Sequence, residues 1–330
     1  MCIDAGGLED VGNKENPHTT PLTTRELAAM TGETAGAVEN FLGPEGVLPL
    51  TAATIGASAA GVRRFLEDQG ISYQSRVIAH ITLRGGIGKT TATISAAVRA
   101  AQYGFKVCVL DLDPQGSSTL AFNAAPDEGD PIFYDVWQNP HELLPDALKQ
   151  IRENLALLPS SLENALLDAS LINPGSQKRA VKGVCEALAA SGYDTIIIDC
   201  PPSLGIAVIS TICAADTVVI PVGSDAFSLK GLEITLNEIT SIRDTFGLPM
   251  PEIRILYTRH DRRERVSRDM LDILRSRYGH MSLTVIGTSS EFSKALAAGE
   301  TVFSSFRKSL ARDDYDRYVR DMFGICSSET

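Results

Sequence analysis

The seven residues GGIGKTT, at positions 85–91, constrain the fold of this chain more than any other stretch. They follow an apolar run and precede a helix-forming segment, which is the context that a phosphate-binding loop requires. Glycines in such a loop let backbone N–H groups converge on phosphate oxygens at a helix N-terminus. The residues expected to contact a nucleotide are Arg84, Gly85, Gly86, Ile87, Gly88, Lys89, Thr90 and Thr91.

Apolar runs alternate with amphipathic segments from residue 76 onward. The uninterrupted runs TIIID and TVVIP are typical of strands that are covered on both faces. The pattern predicts an α/β domain with a doubly wound, mostly parallel sheet and a ligand site at the carboxyl ends of its strands. Strands are expected at 77–83, 106–112, 155–159, 195–199, 217–221, 253–258 and 283–286.

Acidic residues end two of the expected strands. Asp111 and Asp113 close the run VLDLDPQGS, and Asp199 follows IIID. A carboxylate beside a phosphate loop can hold Mg²⁺ through water, while a loop lysine such as Lys89 supplies charge to the β- and γ-phosphates. We therefore expect Thr90, Asp111 and Asp199 to form the magnesium site. For Asp111 and Asp113, a helix cap or a solvated turn is the alternative interpretation.

The first 75 residues have a different organisation. Residues 1–20 are expected to form a disordered polar tail. Within 21–75, AAMTGETAGAVENFL and AATIGASAAGVRRFL resemble each other at an offset of 24, which predicts a small all-α region with a duplicated helix-turn-helix-like unit. The alternative is a helical bundle that packs or dimerises, because residues 1–75 carry ten acidic and four basic residues. Only Arg63 and Arg64 are expected to face DNA.

Charge and hydropathy exclude some classes of protein. The formal net charge of −11 argues against nonspecific adhesion of the whole molecule to nucleic acid, whereas residues 251–330 carry 14 basic and 12 acidic residues. No apolar run approaches the roughly 20 residues of a membrane span, and the first 20 residues do not have the pattern of a secretion signal. A cytoplasmic protein without a membrane partner is expected.

The motifs RGGIGKTT, DLDPQG and DCPPS, in this order, resemble the ParA/MinD family of deviant Walker A ATPases, most closely the ParA branch. The resemblance covers residues 76–330. It implies a P-loop NTPase fold of the SIMIBI type, with ATP and Mg²⁺ as cofactors and a homodimer that encloses two ATP molecules. It also implies nonspecific DNA binding in the ATP state, hence nucleoid association, and slow hydrolysis stimulated by a ParB-like or cargo adaptor protein.

The resemblance also suggests roles for single residues. Asp113 matches the aspartate that positions the attacking water, and Asp199 matches the second Walker carboxylate. Arg84 stands where the family usually has a lysine that reaches the partner's nucleotide. We expect Lys89, Asp113 and Arg84 to be catalytic, although arginine for lysine is not a conservative change. The alternative is that Arg84 points to solvent or to a local carboxylate.

DNA contacts are expected near the end of the chain, where late helices of ParA proteins carry basic residues. The matching positions are Arg275, Arg277, Arg307, Lys308 and Arg312. A solvated helix face with ion pairs is the alternative for each of them. Three other functions stay open: an autoregulator that binds DNA through residues 21–75, a MinD-like positioning ATPase, and an ATP-dependent reductase, for which no suitable cysteine pair follows the motifs.

Overall fold

The computed structural model describes residues 20–298 and 300–325. The strands are β1 (Val47–Thr51), β2 (Thr54–Ala57), β3 (Arg76–His80), β4 (Val107–Asp111), β5 (Lys149–Arg152), β6 (Leu155–Leu158), β7 (Thr195–Asp199), β8 (Thr217–Val222), β9 (Glu252–His260) and β10 (Ser282–Gly287). The helices are α1 (Thr24–Thr31), α2 (Ala35–Gly46), α3 (Ala59–Asp68), α4 (Lys89–Gln102), α5 (Ser117–Ala121), α6 (Phe133–Val136), α7 (Pro140–Ala147), α8 (Leu167–Ser170), α9 (Pro174–Ala190), α10 (Ile206–Ala214), α11 (Ala226–Phe246), α12 (Arg265–Tyr278), α13 (Glu291–Ala297) and α14 (Leu310–Phe323), with a 3₁₀ turn at Leu162–Leu166.

An eight-stranded sheet organises the chain after residue 75, in the order β10-β9-β8-β3-β7-β4-β6-β5. Every pairing in it is parallel except that of β5 with β6. Helices α4 and α14 pack on one face, and α9, α10 and α11 pack on the other. This arrangement confirms the predicted doubly wound α/β fold, and it brings the carboxyl ends of β3, β4 and β7 together.

The seven expected strands are all present, with modest changes in their bounds. Strand β7 has the expected bounds, whereas β3 ends at His80 because the residues after it turn into the phosphate loop. The short strand β5 was not predicted. Its sequence KQIR is mostly polar and only one of its residues is buried, so it carries little of the hydrophobic signal of a strand.

The prediction of an all-α region at 21–75 was wrong in one part. The first repeat is helical as expected, with α1 capped by Gly32 at φ 77° and followed by α2. The first half of the second repeat is instead strand β2, which pairs with β1 in an antiparallel hairpin before α3. Gly56 lies in that strand opposite Leu48 rather than at a helix end. The similarity between the two repeats therefore extends to the structure of their second halves, helices α2 and α3, but not to that of their first halves.

Residues 21–75, which we call the N-terminal module, pack directly on the α/β domain. Leu27 of α1 and Phe65 of α3 belong to the same hydrophobic cluster as Ala97 of α4 and Val319 of α14. Gly104, which follows α4, has no room for a Cβ, because that atom would lie 2.9 Å from the Ala59 carbonyl oxygen. The module is thus part of the domain's own core.

Candidate functional site

The phosphate loop lies between β3 and α4 and leaves the helix N-terminus open. Gly86 and Gly88 have φ angles of 77° and 89°, in the left-handed region that favours glycine. Gly88 is the N-cap of α4 and provides no side-chain hydrogen bond to it. The Thr258 hydroxyl donates a 2.8 Å hydrogen bond to the Ile87 carbonyl, which fixes the loop to β9. The first backbone N–H groups of α4 are therefore suited to bind an anion.

Lys89 is buried and ion-paired with Asp199. Its Nζ lies 2.5 Å from Asp199 Oδ1, and the other carboxylate oxygen accepts a 2.8 Å hydrogen bond from the Ser118 hydroxyl. Burial by itself would lower the pKa of Lys89, but the Asp199 carboxylate outweighs that effect and raises it. Lys89 is therefore charged, and it lies at the N-terminus of α4, where phosphates would bind.

Asp111 and Asp199 lie side by side on the paired strands β4 and β7. Asp111 is fully buried and accepts 2.8 Å hydrogen bonds from both the backbone N–H and the hydroxyl of Thr119. Burial, together with the nearby negative charge of Asp199, raises the pKa of Asp111 to about 7. Asp111 and Asp199 thus place two carboxyl groups at the ends of β4 and β7, beside the strand that leads into the phosphate loop.

The site fits a magnesium ion that is bound together with a nucleotide. In the described residues, no group of three or more histidine, cysteine, aspartate or glutamate side chains is placed to hold a metal by itself. Mg²⁺ characteristically uses one or two protein oxygens and completes its shell with phosphates and water. Of the three donors that the sequence predicted, Thr90 lines the cavity and would supply one such oxygen. Asp111 and Asp199 are fully buried behind it, where Asp111 is bonded to Thr119 and Asp199 is paired with Lys89. Their role as magnesium donors stays a prediction.

Asp113 lies in the same cavity as the phosphate loop. The cavity has a volume of about 580 Å³, and its lining includes Lys89, Thr90, Asp113 and Gln115. The Asp113 carboxylate accepts a 3.0 Å hydrogen bond from the Gln115 backbone N–H, and its carbonyl accepts one of 2.7 Å from the Ser160 hydroxyl. These bonds fix the DPQG turn so that the Asp113 side chain stays beside the loop.

Arg84 does not point freely into solvent. Its guanidinium forms an ion pair with Asp225 at the N-terminus of α11 and donates a 3.2 Å hydrogen bond to the Ser228 hydroxyl. The side chains of Arg84 and Asp225 are each 43% exposed. The structure therefore shows the local-carboxylate arrangement that the sequence left open.

The five basic residues expected to contact DNA have different surroundings. Arg275, Arg277, Arg307 and Lys308 are exposed, and Arg277 lies 3.5 Å from Glu233. The prediction for Arg312 is corrected: its side chain is 6% exposed and lies 2.6 Å from Glu26 in the N-terminal module. It also donates to two backbone carbonyls, so a DNA phosphate cannot reach it.

Several residues of the site escaped the sequence analysis. Ser118 and Thr119 are the second and third residues after the DPQG motif, and their hydroxyls could have been suspected from that position. Asp225 and Thr258 could not, because they contact the loop from 141 and 171 residues away along the chain. A parallel sheet brings such distant strand ends together, and a local sequence pattern does not report it.

Arg63, one of the two arginines expected to face DNA, contacts other residues of this chain instead. Arg63 forms an ion pair with Asp194, with Nη1 and Oδ2 2.5 Å apart, and its guanidinium lies 4.2 Å from the Tyr73 ring centroid. Arg64 is exposed. Helix α2, the second helix of the helix-turn-helix unit, contains no lysine or arginine.

The fold and the site together define a nucleotide-binding protein of the phosphate-loop class. Residues 75–251 match a family model described as an AAA domain. An uncharacterized protein of Mycobacterium tuberculosis is 31% identical over 257 residues, covering 76% of this chain and 80% of that protein. The sporulation initiation inhibitor protein Soj of Bacillus subtilis is 28% identical over 228 residues, covering 69% of this chain and 90% of Soj. The chain belongs to the family that this AAA domain model describes, and it is a ParA-type ATPase.

Solved structures support the same fold. The Cyanothece McdA–ATP complex superposes with a TM-score of 0.69 at 22% identity, covering 78% of this chain and 99% of that one. Cobyrinic acid a,c-diamide synthase from Mycobacterium smegmatis, with a bound ATP analog and magnesium, gives 0.62 at 28% identity and covers 75% of this chain and 94% of that one. In the described residues, no helix is long and apolar enough to cross a membrane.

Proposed function

We propose that this chain is an ATP-switched partition ATPase. It dimerises around two ATP molecules with Mg²⁺ as cofactor, binds DNA without sequence preference in that state, and releases it after slow hydrolysis. A ParB-like or cargo adaptor protein stimulates that hydrolysis, and the ATP state is nucleoid-associated in the cytoplasm. The observation that carries the proposal is that Lys89, Asp113 and Asp199 meet at one phosphate loop in a chain of the ParA type.

Each residue of the site has a separate role in this proposal. The loop glycines present N–H groups to the phosphates, and Lys89 exchanges its ion pair with Asp199 for the β- and γ-phosphates when ATP binds. Magnesium, when bound, neutralises phosphate charge. Asp113, fixed through Ser160 and Gln115, orients the attacking water and does not hold the nucleotide. Replacing it therefore leaves ATP binding intact while hydrolysis is lost.

A basic groove supports the proposed DNA contact. It has a volume of about 590 Å³ between α12 and α14 and is lined by four arginines, with Asp272 and Asp321 as its acids. The arginines are Arg262, Arg268, Arg275 and Arg317. Guanidinium groups bind phosphate oxygens well, and a groove that presents several of them without base-reading geometry suits binding to any sequence.

The autoregulator alternative receives less support. Arg63 is ion-paired with Asp194, and α2 has no basic side chain that could contact a DNA groove. Protection of a discrete site on the protein's own promoter by the wild-type chain, lost when Arg64 becomes alanine, would favour that alternative over partition.

Fluorescence anisotropy with two unrelated DNA duplexes tests the proposed DNA binding. Binding should require ATP, be equal for both duplexes and weaken steeply with salt. Changing Arg262 and Arg275, which both line the groove, to alanine should lower the slope of log affinity against log salt by about 2, since each phosphate contact contributes about 0.9. Changing Arg179 and Lys182 on α9 removes the same charge as a control and should leave the slope unchanged. An unchanged slope in the first variant would place the DNA site elsewhere.

A further inference from the structure

Arg259 has an unusual backbone conformation beside the nucleotide site. Its φ is 57°, and among the described residues only Asn123 shares a positive φ without being glycine. Asparagine tolerates this region, whereas a long side chain such as arginine rarely adopts it. A residue held in such a conformation is often held there for a functional reason.

A bulge at the end of β9 accounts for the direction of Arg259. Tyr257 pairs with Val285 of β10 and His260 pairs with Gly287, so β9 contains one more residue than β10 between these pairs. A bulge of this kind redirects a side chain that would otherwise alternate across the sheet. Thr258, directly before it, is hydrogen-bonded to the phosphate loop and anchors the bulge there.

The Arg259 side chain faces the cavity that contains the loop. It lines the 580 Å³ cavity together with Lys89 and Thr90, and it is exposed. Within the described parts of the chain, its guanidinium has no ion pair or hydrogen bond, in contrast to Arg84 in the same cavity, which is paired with Asp225. An arginine without a protein partner in a ligand cavity is available to the ligand.

The strand order indicates which end of the nucleotide Arg259 meets. Asp113 and Asp199, which act at the γ-phosphate and the metal in the proposed function, follow β4 and β7 on one side of β3. Arg259 belongs to β9, on the opposite side of β3. A nucleotide whose phosphates lie over the loop therefore extends its nucleoside end toward β8 and β9.

We propose that Arg259 contacts the nucleoside end of the bound nucleotide, with its planar guanidinium stacked on the purine ring. A guanidinium stacks on aromatic faces, and this contact is nearly independent of how many phosphates the nucleotide carries. The inference rests on the proposed nucleotide function and adds to it a residue that favours purine nucleotides over free polyphosphate.

Calorimetry with Arg259→Gly tests this contact, because glycine adopts a positive φ without strain and keeps the bulge. We expect the affinities for ATP and ADP to fall by a similar factor, about tenfold, while the affinity for inorganic tripolyphosphate stays unchanged. The melting temperature should stay the same or rise. Arg259→Lys keeps the charge but not the plane and should also weaken both nucleotides, whereas Arg265→Ala, an exposed arginine on α12, should not.

The outcomes separate this inference from the proposed function. A wild-type chain that binds no ATP contradicts both. Wild-type ATP binding that Arg259→Gly leaves unchanged contradicts this inference alone. An equal loss of ATP and tripolyphosphate binding would place the guanidinium on the phosphates and overturn the assignment to the nucleoside end.

Discussion

Arg84, which lines the nucleotide cavity, is ion-paired with Asp225 of the same chain. Asp225 is also the N-cap of α11, where its side chain accepts a hydrogen bond from the Ser228 backbone N–H. If Arg84 reaches the partner's phosphates in the ATP dimer, as the family resemblance implies, it must leave this carboxylate first. Asp225 thus competes with the second nucleotide for the same guanidinium.

Arg84→Ala should leave ATP binding by the monomer nearly intact, since Lys89 and the backbone of the loop remain. It should lose dimerisation and hydrolysis together. A charge-assisted arginine–phosphate bond is worth about 1.5–3 kcal/mol, so two such bonds per dimer correspond to a hundredfold effect or more. Arg84→Lys is expected to keep turnover. Sedimentation and phosphate release measure both, and an Arg84→Ala protein that dimerises and turns over like wild type would show that the arginine has no role in trans.

Asp225→Asn should favour the dimer. Asparagine caps a helix as well as aspartate does, so α11 keeps its N-cap while Arg84 loses its charged partner. An exposed ion pair contributes about 0–1 kcal/mol, and a dimer releases two of them, so the protein concentration for half-maximal ATP-dependent dimerisation should fall by up to about thirtyfold. Ser228→Ala, which removes the hydroxyl contacts to Arg84 and Asp225 but keeps the ion pair, is the matched control. A shift toward weaker dimerisation in Asp225→Asn would mean that the pair positions Arg84 rather than restrains it.

Lys89→Ala should abolish ATP binding and also destabilise the protein. It leaves the buried Asp199 without its cation and next to Asp111, and breaking a buried pair in this way typically costs about 3–5 kcal/mol. Adding Asp199→Asn should restore most of the stability but none of the ATP binding. Urea denaturation and calorimetry distinguish the two effects, and full stability of the single variant would mean that the ion pair does not form in solution.

Glu26→Gln should loosen the N-terminal module. Glu26 of α1 lies 2.6 Å from Arg312 and 3.4 Å from Arg99, both of them buried. We expect a loss of about 2–3 kcal/mol in the free energy of unfolding, because two buried cations lose a partner that is itself 27% exposed. Its exposed neighbour serves as control: Arg25→Gln should change stability by less than about 0.5 kcal/mol.

The stability difference between wild type and Glu26→Gln should depend on pH. Burial would raise the pKa of Glu26, but Arg99 and Arg312 lower it from 4.5 to about 2. The stabilisation from Glu26 is therefore fully present above pH 4.5 and is lost as the pH falls toward 2. Wild type and Glu26→Gln should converge in stability over that range. A stability difference that stays constant from pH 6 to pH 3 would contradict the assigned ion pairs.

The sequence predicted what depends on local pattern. Strand β7 and the phosphate loop have continuous signals, a buried apolar run in one case and glycines before a helix in the other. The hairpin of β1 and β2 was missed, since Gly56 matched Gly32 by position although one lies in a strand and the other ends a helix. The partners of Arg84 and Arg312 are 141 and 286 residues away in the chain, so only the packed structure could show which charges are already neutralised.

The central claim is that ATP converts this chain into a dimer at the phosphate loop, and sedimentation of Asp113→Ala with ATP and Mg²⁺ tests it most directly. This variant removes the carboxylate that we propose to position the attacking water, and it keeps the groups that we propose to hold nucleotide. The account predicts a stable dimer for Asp113→Ala with ATP and a monomer with ADP, while Lys89→Ala combined with Asp199→Asn stays monomeric with either nucleotide. An Asp113→Ala protein that binds ATP and still sediments as a monomer would contradict it.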